Sequence, residues 1–308
     1  MFIPPLAKKI MASLLLVVLL FSIGCGPAGF KEPITKFRDS SAVVIAGTKI
    51  YLGELNKVER GNYILEKASQ RGPIKLDELE AVQVFSKEGL QARLDALDQL
   101  GAYGELLLKL VNSDAPEKVK AEATNLGEAI KSLSNTVSGF SGADDANFKA
   151  AVGPVANIVG QIVNLIVEKK ISDALTKAIN NGEEPINALL EAIRSDMVIA
   201  YERKKSFFSG TRVFLIDDYR NALDKGADSD KLKTLAERIR AHEDRWEELG
   251  NANPSEAIGA MKKAHTALVK YAKSSHKVTD LASLVDAMEA FAARAKSIGQ
   301  SIQALREI

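Results

Sequence analysis

The sequence predicts an all-α protein: an elongated antiparallel bundle of about eight helices, several of them long. Three observations predict it. After Pro33, apolar residues recur in alternating steps of three and four, the period of a helix packing stripe. Aromatic residues are only 6% of the 308, and abundant Ala, Leu, Lys and Glu favour helices over strands. No stretch alternates as a strand would, and no fixed-period repeat recurs.

The first helix is expected from Pro33, whose missing N–H costs nothing in a first turn, to about Ser69. Ile34, Phe37, Val44, Tyr51, Leu55, Val58 and Leu65 form its stripe. Gly47, Gly53 and Gly61 weaken it and invite a kink, and Gly72-Pro73 ends it. A second helix is expected from about Asp77 to Asn112, with Leu79, Val82, Leu90, Leu94, Leu97, Leu107 and Leu110 on its apolar side. Asp114 and Glu117 have capping-box spacing around Pro116. A third stripe follows in Val119, Ala123, Leu126, Ile130, Leu133, Val137 and Phe140.

The turn SGFSGADD, Ser138 to Asp145, leads to the most apolar part of the body, a fourth helix expected from Asp145 to about Asn181. Residues 150–167 carry no charge. Ala156 and Gly160 form a small-xxx-small pair suited to close helix approach, and Asn157, Gln161 and Asn164 line another face. Such a helix is read as buried at the centre of a bundle. The competing reading is a segment that leaves the bundle for a bilayer.

Asn181-Gly182 and Pro185 are expected to break the chain before a fifth helix. Its stripe runs through Ile186, Leu190, Ile193, Met197, Ala200, Phe207, Thr211 and Phe214 to about Leu223, with Gly226 closing it. Helices 1, 2, 4 and 5 are the expected shaft. Three shorter helices complete the chain. Leu232, Leu235, Ile239, His242, Trp246 and Leu249 mark the first. Ile258, Met261, His265 and Leu268 mark the second, after Asn253-Pro254. Leu281, Leu284, Met288, Phe291, Ala295, Ile298, Ile302 and Leu305 mark the last, capped by Thr279 or Asp280.

Ahead of this body stands a leader, residues 1–24. Lys8 and Lys9 precede an uncharged apolar run, Ile10 to Gly24, and small residues end it beside the single cysteine, Cys25. A positive start, a short apolar run and a small-residue exit describe an export signal. The run is short of the roughly 20 residues a membrane span needs. Ser22-Ile23-Gly24-Cys25 resembles the lipobox of bacterial lipoproteins, with Ser22 where that family prefers Leu. The resemblance covers the leader alone. It implies cleavage before Cys25 and acylation (palmitate or similar) of that cysteine, and Gly26 implies sorting to an outer membrane where the host has two. Two or more acyl chains make a stable anchor. Residues 25–32 then read as a short tether and 33–308 as the helical bundle, with a subdivision near Gly226 compatible with the pattern.

Little chemistry is visible. His242 and His265 fall on packing stripes, and neither H-E-x-x-H nor E-x-x-H occurs with His276 or the others. The GFSG of the turn is not a nucleophile elbow, and no phosphate or dinucleotide loop is present. No catalytic residue, metal ligand or cofactor is expected. The formal charge is +1, and −1 once Lys8 and Lys9 are removed, which argues against a nucleic-acid partner. The expected function is therefore a non-catalytic, lipid-anchored extracytoplasmic binding or scaffolding protein of the bacterial envelope, with a protein partner. The alternatives are a membrane-active bundle broadly resembling α-helical pore-forming toxins, and a periplasmic immunity or inhibitor lipoprotein.

Overall fold

The structure is a computed structural model that describes residues 28–112, 116–140, 146–167 and 171–307. Among them are nine helices and no strand. They are α1 (Ala28–Ser69), α2 (Leu76–Ala81), α3 (Lys87–Asn112), α4 (Pro116–Ser138), α5 (Ala146–Val167), α6 (Ile171–Asp224), α7 (Ser229–Asn251), α8 (Pro254–Lys273) and α9 (Val278–Glu307). The all-α bundle with several long helices is as the periodicity predicts.

The α6 helix is the spine. Its 54 residues span about 80 Å, and cross-helix pairs along it give the topology. Glu183 meets Lys273, Asn187 meets Thr266, and Glu191 meets Lys262, so α8 runs antiparallel to it. Farther on, Arg212 meets Glu243 and Asp218 meets Arg238, so α7 lies antiparallel on the same helix, end to end with α8. The α1 helix runs parallel to α6, with Lys204 on Glu54 and the Phe207 ring on Gly61. The α3 helix descends antiparallel to both, and α4 and α5 form a hairpin beside it. Finally α9 rises parallel to α1, pairing Lys36 with Glu289 and setting Phe37 against Phe291.

Several boundaries differ from expectation. The α1 helix begins at Ala28, so the expected tether residues 28–32 are its opening turn and a half; Phe30 is buried there against Tyr271 and His276. The helix runs unbroken through its glycines, and Gly47 and Gly61 serve close approach to Ile302 and Phe207. The expected second helix is two. Ser86 caps α3 by accepting from Gly89 N (2.9 Å), and the Asn56 side chain holds the break by accepting from Val84 N and donating to Phe85 O, both 3.0 Å. The expected fourth helix ends at Val167, and Ile171 to Asn181 open α6 instead. Gly182 and Pro185 lie inside α6, where packing overrides local breaking: both are buried, and the Tyr103 hydroxyl lies 2.9 Å from where a Cβ on Gly182 would stand. The shaft is consequently α1, α3, α6 and α9. Gly226 does close α6, with φ +70° and the paired bonds Gly226 N to Leu223 O and Ala227 N to Ala222 O of a Schellman ending.

Candidate functional site

The α1–α6 pair is covered unequally along its length. Below, α8 lies on one side of the pair and α3 on the other. A line of α6 residues seven apart, Asp196, Arg203, Gly210 and Asp217, keeps to one side of the helix, drifting about 20° per step. Its first member, Asp196, is under α3, bonded to Arg93. On α1 the corresponding line is Lys49, Asn56 and Tyr63, with Lys49 on Asp98 of α3 and Asn56 on Phe85. Above Phe85 there is no more α3. Arg203, Gly210 and Asp217 face Glu59, Asn62, Tyr63, Leu65 and Glu66 across an open groove of about 760 Å³, with Val82 at its foot and Val213 and Phe214 on its wall.

The groove's margin is fixed in place. Glu78 of α2 accepts from Lys75 (2.8 Å), Lys67 (3.1 Å) and the Tyr63 hydroxyl (2.9 Å), which straps α2 back along the end of α1. Those three donors, Lys75 foremost, hold the Glu78 carboxyl down to about 2. With Asn56 gripping the next segment, Val82 is held from both sides. The walls are apolar and wet: Val213 is 58% and Phe214 49% exposed. The rim carries three carboxylates, Glu59, Glu66 and Asp217, against one guanidinium, Arg203, which already lies 3.6 Å from Glu59. Glu66 is met by the Gln70 side-chain amide at 3.1 Å, and Arg220 reaches Asp217 from outside the groove at 3.5 Å. From Ala28 to Leu65 is about 55 Å along α1 at 1.5 Å per residue.

Phe214 was expected on the buried stripe and is not. Four consecutive apolar residues, Val213 to Ile216, turn through most of a helix circumference, and only Leu215 is buried. A helix flanked mainly by α1 and α7 cannot bury all four. That excess of apolar residues over available faces is the sequence signal for this surface.

The residues singled out from sequence lie elsewhere. Cys25 falls outside the described residues. Ala156, Asn157, Gly160, Gln161 and Asn164 are on α5, far from the groove. Gln161 and Asn164 are exposed, Gln161 accepting from the Asn181 amide at 2.7 Å; the side chains of the other three are not among those described. Phe148, Val152, Val155, Ile162 and Ile166 of α5 are buried while Ala150, Pro154, Gln161 and Asn164 are exposed, so α5 buries one face against its neighbours and is not covered on most sides. Among the described residues no helix is long and apolar enough to cross a membrane.

Each histidine has a packing role. His242 stacks on Phe208 and bonds Phe208 O at 2.8 Å. His276 sits edge-on to Phe30 and Tyr271. His265 is fully buried between Tyr103, 3.0 Å from Nε2, and Asn187, 3.1 Å from Nδ1. Because the Asn187 amide nitrogen donates to Thr266 (3.4 Å), its oxygen accepts from Nδ1–H, which assigns the proton to Nδ1. No three His, Cys, Asp or Glu residues converge to hold a metal among those described. A second cleft, of about 720 Å³ between α6, α8 and α9, is basic: Arg194 and Lys262 both bind Glu191, Arg294 binds Glu256, and Lys263 is a fourth cation beside those two carboxylates.

No family model, curated protein or solved structure matches this chain.

Proposed function

We propose that this chain is a non-catalytic, lipid-anchored binding or scaffolding protein of the bacterial envelope, tethered through Cys25, facing the periplasm from the outer membrane where the host has two, and engaging a protein partner through the α1–α6 groove. The observation that carries the reading is the groove's position and make-up. Monomeric soluble proteins seldom leave large side chains such as Val213 and Phe214 side by side in a concave, clamped surface without use for them. On this reading α1 serves as a rigid spacer, which would carry the groove about 55 Å from the lipid end of the helix. A membrane-active role has less behind it, since the apolar face of α5 is already spent on the core.

The test has two parts. Cys25→Ser should move the protein from the membrane fraction to the soluble periplasmic one and abolish metabolic labelling by a palmitate analogue; unchanged fractionation would remove the anchor. A photo-crosslinking amino acid at Val213 should yield one discrete adduct in the envelope of the native host, absent when the same group stands at Lys263 in the second cleft. Adducts of equal pattern at both positions, or none at either, would remove the binding reading.

A further inference from the structure

We infer that the occupant of the groove is an amphipathic partner helix whose apolar stripe is flanked by Lys or Arg, lying in line with α3. The inference rests on reading the groove as the binding surface, and is independent of the anchor.

The geometry calls for a helix. Two near-parallel helices leave a seam that a third fills at 8–10 Å between axes, and on this side of the α1–α6 pair the third helix is α3 for as long as α3 lasts. Arg93 of α3 is seated on Asp196. One, two and three heptads farther up, Arg203, Gly210 and Asp217 present the same side of α6 with nothing over it but the groove. From Arg203 to Asp217 is about 21 Å, the length of a helix of about 14 residues. Gly210 lets an approaching backbone come close at mid-groove, since a Cβ there would meet only Leu65, at 4.0 Å. The anchors such a helix needs are apolar residues spaced i, i+3, i+4 and i+7, and Leu65, Val82, Val213 and Phe214 are their counterparts.

The rim sets the charge. Three carboxylates face the seam: the rim's single guanidinium is already engaged by Glu59, Glu66 has an amide for company, and Asp217 is met at 3.5 Å by Arg220 from outside the groove. An acidic partner would bring like charges together at both margins, whereas Lys or Arg at the edges of the stripe would meet Glu66 and Asp217. Such complementarity selects among partners more than it adds affinity. A second copy of this chain would have to present a basic helix of its own.

The probe is a fluorescent Leu/Lys amphipathic peptide of about 14 residues and its Leu/Glu counterpart, titrated onto the full chain in detergent at low salt and followed by anisotropy. The Leu/Lys peptide is expected to bind one to one, about tenfold or more tighter than Leu/Glu. Phe214→Ser should weaken it by about tenfold or more, with circular dichroism unchanged because Phe214 is exposed. The pair Glu66→Lys and Asp217→Lys should invert the preference. Equal binding of both peptides, or binding indifferent to Phe214→Ser and to the charge reversal, overturns the assignment. So does sedimentation showing a dimer that Phe214→Ser dissolves, which would make a second copy the occupant. Failure here with the Val213 crosslink intact removes only the basic-helix chemistry; loss of that crosslink removes the binding reading itself.

Discussion

Arg93 Nε lies 2.8 Å from Asp196 Oδ2, and both residues are buried. The guanidinium is also 3.7 Å from the Phe85 ring and 4.9 Å from that of Phe148, and its Nη1 donates to Gly89 O at 3.1 Å. One side chain thus ties the start of α3 to α5, α6 and the segment that α1 clamps. Arginine suits this place because its planar cation stacks on rings while its edge bonds a carboxylate.

Removing one partner of such a pair strands a buried charge. Asp196→Asn is expected to cost about 3–5 kcal/mol, read as a fall in the urea midpoint. Replacing both residues, as Arg93→Met with Asp196→Leu, should cost less than Asp196→Asn alone, because no charge is left behind. A double variant as unstable as the sum of its singles would mean the pair is not energetically coupled.

Two glycines of α1 should respond in opposite senses to alanine. A Cβ on Gly61 would stand 2.6 Å from Phe207 Cε2, whereas one on Gly53 would have nothing within 4 Å. Gly53→Ala should therefore stabilise the protein by about 1 kcal/mol through helix propensity alone. Gly61→Ala should destabilise it by about 1–3 kcal/mol through overpacking, with Phe207→Leu recovering part of the loss. Thermal unfolding measures both, and the same sign for the two would refute the close-approach account.

The legible part of this fold was the part written in periodicity. The stripes Val119 to Val137 and Leu284 to Ile302 are buried at every step, since each depends only on the helix repeat. The breaks were less legible because they are decided by partners distant in sequence. Gly182 and Pro185 stay helical because Tyr103 packs there, and α2 parts from α3 because Asn56, some thirty residues earlier, takes the backbone of Val84 and Phe85. The groove was legible only in part: Val213 to Ile216 hold more apolar residues than a flanked helix can bury, but that Phe214, which keeps the period of a buried residue, is among those left open depends on where α3 stops.

The end of α1 holds a residue out of place. Gly72 N bonds Lys67 O at 2.8 Å and Arg71 N bonds Ala68 O at 3.2 Å, the Schellman pattern that Gly226 completes on α6. In α6 the residue with positive φ is Gly226; in α1 it is Arg71, with φ 53°, and the glycine comes one position late. A side chain in that conformation costs on the order of 1 kcal/mol. Arg71→Gly should therefore raise stability by about 1 kcal/mol, and Gly226→Ala should lower it by a similar amount. Chemical denaturation of the two variants checks the contrast, and a loss of stability in Arg71→Gly would show that the arginine side chain contributes more than its backbone costs.

The last expectation concerns pH. Burial, only partly opposed by the charge of Glu183, pushes His265 down to about 4 from an ordinary 6.5. Above pH 6.5 neither folded nor unfolded chain protonates this residue, and it contributes no pH dependence. As pH falls from 6.5 toward about 4 the unfolded chain takes up a proton that the native core refuses. Stability should then decline by roughly 3 kcal/mol in all and level off with respect to this group below that range. Glu78 and Glu191 act later: both are held near 2 by their cationic partners, so their contributions fade only as pH drops from 4.5 through that value. The window between 6.5 and 4.5 therefore separates His265 from Glu78 and Glu191. In His265→Gln the slope of unfolding free energy in that window should flatten, whatever the variant's stability at pH 7. An undiminished slope would mean that another group carries the acid sensitivity.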